Sequence, residues 1–293
     1  MERTTTVDKQ AVAEALRAYC EQKGGQNKAA ASLKGVSSAT VSQMLNGAIP
    51  GRGDAWEQIS DEMWRKVAVA LNVGGRGWKT AATAAYLQVR ELLRGAQEEA
   101  RVMSITAPAG SGKTYAARAY EQEHRNVYRL TCDEFWSKND FVEELLRSMG
   151  ERAEGLTKRE RLQLAVAQLA KKERPLLVFD EFDKLSDNVW CFFITLYNRL
   201  EDQCGMVLLS TDFLEKRMRT GLKWRKRGYE EIWSRLGSRC VGVDRADYDD
   251  VRAVCEANGV TDEASIEDIA RSAEGDLRRV RQLVFAKGRK KSE

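Results

Sequence analysis

The sequence predicts an α/β fold, a parallel sheet with helices on both faces, preceded by an all-α helical domain and followed by a helical lid. Three observations predict it. Five runs of β character, Val102 to Thr106, Val127 to Cys132, Leu176 to Phe179, Met206 to Ser210 and Cys240 to Val243, recur between helix-compatible stretches. Such alternation favours parallel strands joined by crossover helices. The first run passes through a turn of small residues straight into a helical segment, and the third ends in carboxylates.

The elements follow in chain order. Val7 to Gln22 carries apolar residues at helical spacing, and Gln26 to Leu33, Lys34 to Ser37 and Ser38 to Leu45 read as helix, tight turn and helix. In this helix-turn-helix pattern Ala30, Leu33, Val36, Val41 and Leu45 are expected inside, Gly35 supplies the turn and Ser37 caps the second helix. Ser38, Thr40, Ser42 and Gln43 are then available to a major groove, although short polar side chains without arginine predict weak direct base readout. The same helix pair also suits a protein-docking surface. Trp56 to Leu71 reads as a further amphipathic helix, with Trp56, Ile59, Met63, Val67 and Leu71 on related faces. Gly74-Gly-Arg-Gly77 reads as a hinge, and Thr80 to Arg101 as a long helix leading into the first strand. After the last strand, Asp247 to Asn258, Ile266 to Ala273 and Asp276 to Lys287 form the lid. The expected boundaries are 1–73 for the helix-turn-helix domain, 74–79 for a flexible linker, 80–244 for the core and 245–293 for the lid with a basic tail.

The turn after the first strand, Ala107-Pro108-Ala109-Gly110-Ser111-Gly112-Lys113-Thr114, has the chemistry of a phosphate-binding loop. Small residues let backbone N–H groups curl around phosphates, and the helix N-terminus adds positive potential. Lys113 can reach the β- and γ-phosphates and the Thr114 hydroxyl can ligate magnesium, so ATP and Mg2+ are the expected ligands of Pro108 to Thr114 and the adjoining Tyr115. Ala107 stands where the strict pattern has glycine. In the acidic strand, Pro175-Leu-Leu-Val-Phe-Asp180-Glu181-Phe-Asp183, Asp180 is expected in the magnesium shell and Glu181 beside the attacking water. Asp183 is expected to face solvent or to cap a helix beginning near Ser186. Ser210 and Thr211, at the end of the fourth strand, are placed for a hydroxyl that senses the γ-phosphate or orients water.

Composition narrows the class. The six cysteines are scattered without any C-x-x-C pair and there is a single histidine, which argues against a zinc site or a disulfide framework. A polar start and the lack of a long apolar span point away from secretion and membrane insertion, toward work in the cytoplasm. Net charge is only +4, but the cations are uneven. Lys216, Arg217, Arg219, Lys223, Arg225, Lys226 and Arg227 surround Trp224, and Lys287, Arg289, Lys290 and Lys291 crowd the end of the chain. Clusters of this kind neutralise the phosphates of double-stranded DNA without reading its sequence. A solvated basic loop or tail is the alternative.

Two arginine motifs complete the pattern: Ile232-Trp-Ser-Arg235-Leu-Gly-Ser-Arg239 before the last strand, and Gly275-Asp-Leu-Arg278-Arg279 at the start of a lid helix. With these, the order of motifs resembles that of the AAA+ ATPases. The resemblance implies a P-loop NTPase core in which Arg239 is a finger reaching the neighbouring subunit's nucleotide, Arg235 is the second choice, and Arg278 is a sensor in the lid. Within that class the chain is similar to the phage Mu B family of transposition target-DNA activators. The likeness runs over nearly the whole chain, through Gly110 to Tyr120, Asn126 to Thr131, Leu177 to Leu185, Gly205 to Leu209 and Trp233 to Leu236. The Trp224 segment has no matched counterpart. The resemblance implies an ATPase that assembles as a homo-oligomer, filament or ring, on DNA when ATP is bound, and that delivers target DNA to a transposase. A helicase loader or replication initiator would share the core, the finger and the lid. An ATP-switched transcription regulator would instead use residues 1–73 to read an operator.

Overall fold

Short polar side chains set the helix starts in this protein. Asp8, Ser37, Ser60, Thr83, Asp247 and Asp262 each accept a hydrogen bond from the backbone N–H three residues on. The computed structural model describes residues 7–47, 56–71, 73 and 78–290, with no side chains for the last three. The chain divides into two compact units, Met1–Trp78 with Glu143–Arg161, and Lys79–Val142 with Leu162–Glu293. The Gly74 to Gly77 hinge, and Arg289, Lys290 and Lys291 as DNA contacts, lie outside what is described.

The first unit contains α1 (Lys9–Lys23), α2 (Gln26–Ser32), α3 (Ser38–Asn46) and α4 (Asp61–Ala70). Gly35, at φ +69°, makes the turn between α2 and α3. Ala30, Leu33, Val36 and Val41 are buried as expected, but Leu45 is only partly covered and Met44 takes its place in the core. Residues three and four beyond Val41 both lie on its side of the helix, and of the two it is Met44, not Leu45, that faces the core. The fourth helix starts five residues later than the apolar pattern suggests, because the Ser60 side chain caps it. Trp56 therefore precedes the helix; its ring meets Trp64 edge-on at 5.3 Å and its N–H donates to the Met44 carbonyl at 3.0 Å. Residues 143–161 join this unit through Lys23 to the Ser148 carbonyl at 3.0 Å and Lys28 to Glu151 at 2.8 Å.

The second unit is built on β1 (Val102–Thr106), β2 (Val127–Thr131), β3 (Leu176–Asp180), β4 (Gly205–Ser210) and β5 (Val241–Gly242). All neighbours are parallel and their order is β2-β3-β4-β1-β5. Every residue of β3 and β4 is buried, which explains their unbroken apolar reading: both faces are covered, so no polar alternation is needed. Between the strands run α5 (Ala84–Glu98), α6 (Lys113–Glu123), α7 (Lys138–Ser148), α8 (Lys158–Ala170), α9 (Asp187–Leu200), α10 (Phe213–Lys223) and α11 (Tyr229–Arg235). Around Phe179, the rings of Phe141, Phe182 and Phe193 pack with centroids 5.5–6.1 Å away. The lid is α12 (Tyr248–Ala257), α13 (Glu263–Ala273) and α14 (Leu277–Lys290). From β1 the chain crosses to β2 at one edge, while β5 lies on the other side of β1, so strand order reverses there. The crevice outside the carboxyl end of such a strand is where α/β sheets bind ligands. Among the described residues no helix is long and apolar enough to cross a membrane.

Candidate nucleotide-binding site

The loop from Ala107 to Gly112 leaves the carboxyl end of β1 and feeds α6. Gly110 and Gly112 adopt φ +81° and +91°, which glycine reaches without the Cβ penalty, and a Cβ on Gly110 would also collide with the Asp276 carboxylate. Ala107 is 2 % exposed and its φ is not positive, so a methyl is accommodated in the core where the strict motif has glycine. The Pro108 carbonyl accepts from the Ser111 N–H at 3.3 Å, and Ala109 is exposed at the loop tip.

Lys113 is the first residue of α6 and only 7 % exposed. Burial lowers its pKa, opposed first by Asp180, while Arg278 adds to the lowering. The Thr114 hydroxyl donates to Asp180 Oδ1 at 3.2 Å. Asp180 is fully buried; burial raises its carboxyl, and Arg129 beside it is the first opposing influence. Among the described residues its Oδ2 makes no hydrogen bond, nor does the buried Ser111 hydroxyl. A buried carboxylate oxygen that makes no hydrogen bond among the described residues, next to a threonine hydroxyl, is a hard-oxygen donor set, and it fits Mg2+.

Arg129 is a residue that the motif reading missed. Its side chain is 14 % exposed, with Nη1 3.5 Å from Asp180 Oδ2 and Nε 3.4 Å from Glu121. The signal was parity along β2: Thr131 pairs with Asp180, so Arg129, two residues earlier, shares its face.

Glu181 follows β3 at φ +58°, sparsely populated for a residue with a Cβ, and its Oε2 lies 2.7 Å from Lys184 Nζ. Asp183 corrects an expectation. It neither faces open solvent nor caps α9, whose N-cap position is Ser186; it is half-buried and accepts from Thr211 Oγ1 at 3.2 Å. Burial raises its pKa. Ser210 turns its hydroxyl to the Thr211 carbonyl, so of the two expected hydroxyls Thr211 is the one directed at the acidic group.

The Tyr115 hydroxyl lies 2.5 Å from that of Thr80. The segment carrying Thr80 is clasped by α12 and its C-cap: Lys79 and the Asn258 side chain exchange bonds of 2.8 and 3.0 Å, and the Ala84 N–H donates to Asp250 at 2.7 Å. At the start of α14 the Leu277 N–H donates to the Gly110 carbonyl at 2.9 Å, and Asp276 caps the helix through the Arg278 N–H at 2.8 Å. The lid therefore touches the loop through backbone, with exposed Arg278 close enough to act on Lys113.

The two finger candidates differ in freedom. Arg235 is held within its own chain by Asn198 at 2.8 Å, by the Glu231 carbonyl at 3.0 Å and by the Tyr197 ring. Arg239 is exposed, and among the described residues its guanidinium has no hydrogen bond or ion pair; only its carbonyl is engaged, by Ser104.

The cations expected on DNA separate in the same way. Arg217 is only 19 % exposed and faces inward: it donates to the Asp183 and Leu185 carbonyls and to Asp187, and it stacks on Trp190 at 3.9 Å. A guanidinium with those partners is part of the fold. The exposed cations Lys216, Arg219 and Lys226 pair with Asp212, Glu215 and Asp187, while Lys223, Arg225 and Arg227 are exposed and make no side-chain bond among the described residues. Lys287 lies 3.1 Å from Asp268. On α3, Gln43 is exposed, but Ser38, Thr40 and Ser42 are half-buried, and the Thr40 and Ser42 hydroxyls are engaged by Ser37 and Asn46. The outward face is Ala39, Gln43 and Asn46, at the spacing of successive turns.

Arg217→Ala is expected to destabilise the fold by about 2–3 kcal/mol, because it strips donors from two carbonyls and the partner from Asp187. Urea unfolding checks this, and a change below about 0.5 kcal/mol would contradict it. Burial alone would raise the Asp187 carboxyl, but Arg217, Tyr229 and Lys226 outweigh it and hold the pKa at about 2. That depressed value makes the contribution complete above the unfolded-state value of about 3.9 and lost as pH falls from there toward 2.

Comparison with known proteins agrees with this fold. The AAA domain family matches residues 96–218. The Mu-like prophage FluMu DNA transposition protein B of Haemophilus influenzae is 25% identical over 194 residues, 63% of this chain and 63% of that protein. The aligned part thus spans less than two thirds of that relative. Residues 96–218 thus resemble an AAA domain, carried on a parallel five-stranded sheet that fits a P-loop NTPase core, in a chain similar to a Mu-like transposition protein B.

Proposed function

We propose that this protein is an ATPase that assembles on double-stranded DNA when ATP and Mg2+ are bound, with little sequence preference, and delivers that DNA to a transposase. The observation that carries the nucleotide part is the meeting of Lys113, Thr114 and Asp180 at the carboxyl end of β1 and β3, under a lid that already bonds to the loop. Support for DNA and transposase comes from the likeness to a transposition protein B and from the exposed cations that make no ion pair among the described residues.

In this reading the loop N–H groups and Lys113 hold the phosphates, with Arg278 above them. Thr114 and Asp180 would hold Mg2+, which when bound would neutralise phosphate charge. Glu181 takes the proton from the attacking water, and Thr211 with Asp183 orients that water. Lys184 must release Glu181 first, a small cost because the pair is half-exposed. Arg239 reaches the neighbouring protomer's site and ties turnover to assembly. Each protomer adds a few phosphate contacts, so the assembly binds multivalently and its hold weakens steeply with salt.

Arg239→Ala is expected to leave nucleotide affinity of the monomer within about twofold while lowering turnover by roughly 10³-fold, the scale of a finger arginine. Arg235→Ala should change turnover little, since its bonds stay within its own subunit. Steady-state phosphate release by the two variants decides between them, and the reverse pattern moves the finger to Arg235. The functional reading itself is tested by phosphate release with and without duplex DNA, followed by capture of transposase or helicase on the purified protein. DNA-stimulated release with transposase capture supports it; capture of helicase alone would make the protein a helicase loader.

A further inference from the structure

The corner between α10 and α11 holds a large apolar ring out in water. Trp224 is 70% exposed, and Lys223, Arg225 and Arg227, its neighbours on the tip, are exposed and make no side-chain bond among the described residues. The tip is rigid. Trp224 N–H donates to the Thr220 carbonyl at 3.1 Å, Arg225 to Leu222 at 3.0 Å and Lys226 to Gly221 at 2.9 Å. Gly221 has no Cβ because the Tyr229 ring occupies that place, and the Tyr229 hydroxyl donates to Asp187 at 2.7 Å under the corner. Arg217 locks the base of the corner from the other side.

Holding an indole in water forgoes the stabilisation that burying so large an apolar ring brings, and fixing it on a closed corner removes the freedom to fold back. Three free cations around it make the partner an anion with flat apolar surface. A nucleic acid has both, and a protomer surface would need acidic groups facing three cations. The geometry points to Trp224 as a base-stacking wedge: the α10–α11 tip inserts the indole at a base step of duplex DNA while Lys223, Arg225 and Arg227 hold the flanking phosphates. Apolar wedges of this kind unstack a step and change the twist of the duplex, and stacking is tolerant of sequence. The wedge rests on the DNA-binding reading and goes beyond it, since phosphate contacts alone would leave the duplex undistorted.

The test uses the full chain with a non-hydrolysable ATP analogue and nicked circular duplex, ligated with the protein bound and then analysed for linking number, alongside affinities across a salt series. Wild type is expected to bind and shift the linking number. Trp224→Ala should bind about tenfold more weakly with an unchanged salt slope and lose the shift, and Trp224→Phe should restore most of both. Replacing Lys223, Arg225 and Arg227 with alanine should flatten the salt slope by about 0.9 for each cation lost. A Trp224→Ala protein that keeps wild-type affinity and linking shift would overturn the wedge while leaving DNA binding intact. Loss of self-association without DNA in that variant would make the tip a protomer interface and also overturn it. No binding by wild type at all would instead defeat the DNA-binding reading underneath.

Discussion

Lys113→Ala is expected to weaken ATP binding by roughly 30- to 150-fold, about 2–3 kcal/mol, and to abolish ATP-dependent association with DNA. The size follows from position. Lys113 is a nearly buried cation at the phosphate-facing start of α6, with Asp180, Asp183 and Glu181 as its opposite charges. Removing the ammonium leaves three carboxylates facing an incoming polyphosphate with one counter-charge fewer, in a place that water screens poorly. Titration of a fluorescent ATP analogue checks the first effect and co-sedimentation with duplex the second. Unchanged affinity would mean that the loop holds something else.

Glu181→Gln should lower the rate of hydrolysis by about 10²- to 10⁴-fold while leaving ATP affinity near wild type, because the amide keeps the shape but cannot take a proton. Stability should barely move, since the lost Lys184 pair is half-exposed. If hydrolysis sets the lifetime of the DNA-bound state, that lifetime lengthens by a comparable factor. Single-turnover phosphate release and dissociation from immobilised duplex measure the two together. Normal hydrolysis in this variant would remove Glu181 from the mechanism.

The sheet was legible because its strands are buried on both faces: Leu176 to Phe179 and Met206 to Leu209 are continuous apolar runs with no competing periodicity. Helix starts were less legible, and both late starts, at Asp61 and Ala84, are set by a capping hydroxyl that hydropathy does not weigh. The meeting of Thr114 with Asp180 followed from motif chemistry. Arg129, Asp183 and the Lys79–Asn258 clasp did not, because each depends on a contact between distant segments, and a lone arginine in a strand reads as an edge residue until the register is known. Charge counting likewise treated Arg217 and Arg225 alike. One is enclosed by two carbonyls, a carboxylate and an indole, the other exposed on a corner, and only packing separates them.

The central claim is that a triphosphate bound between Lys113 of one protomer and Arg239 of the next joins protomers along a duplex. Electron micrographs of the protein on long duplex DNA, with ATP, with ADP and without nucleotide, test it most directly. Continuous coating with ATP alone is the predicted result, and equal coating without nucleotide would contradict it.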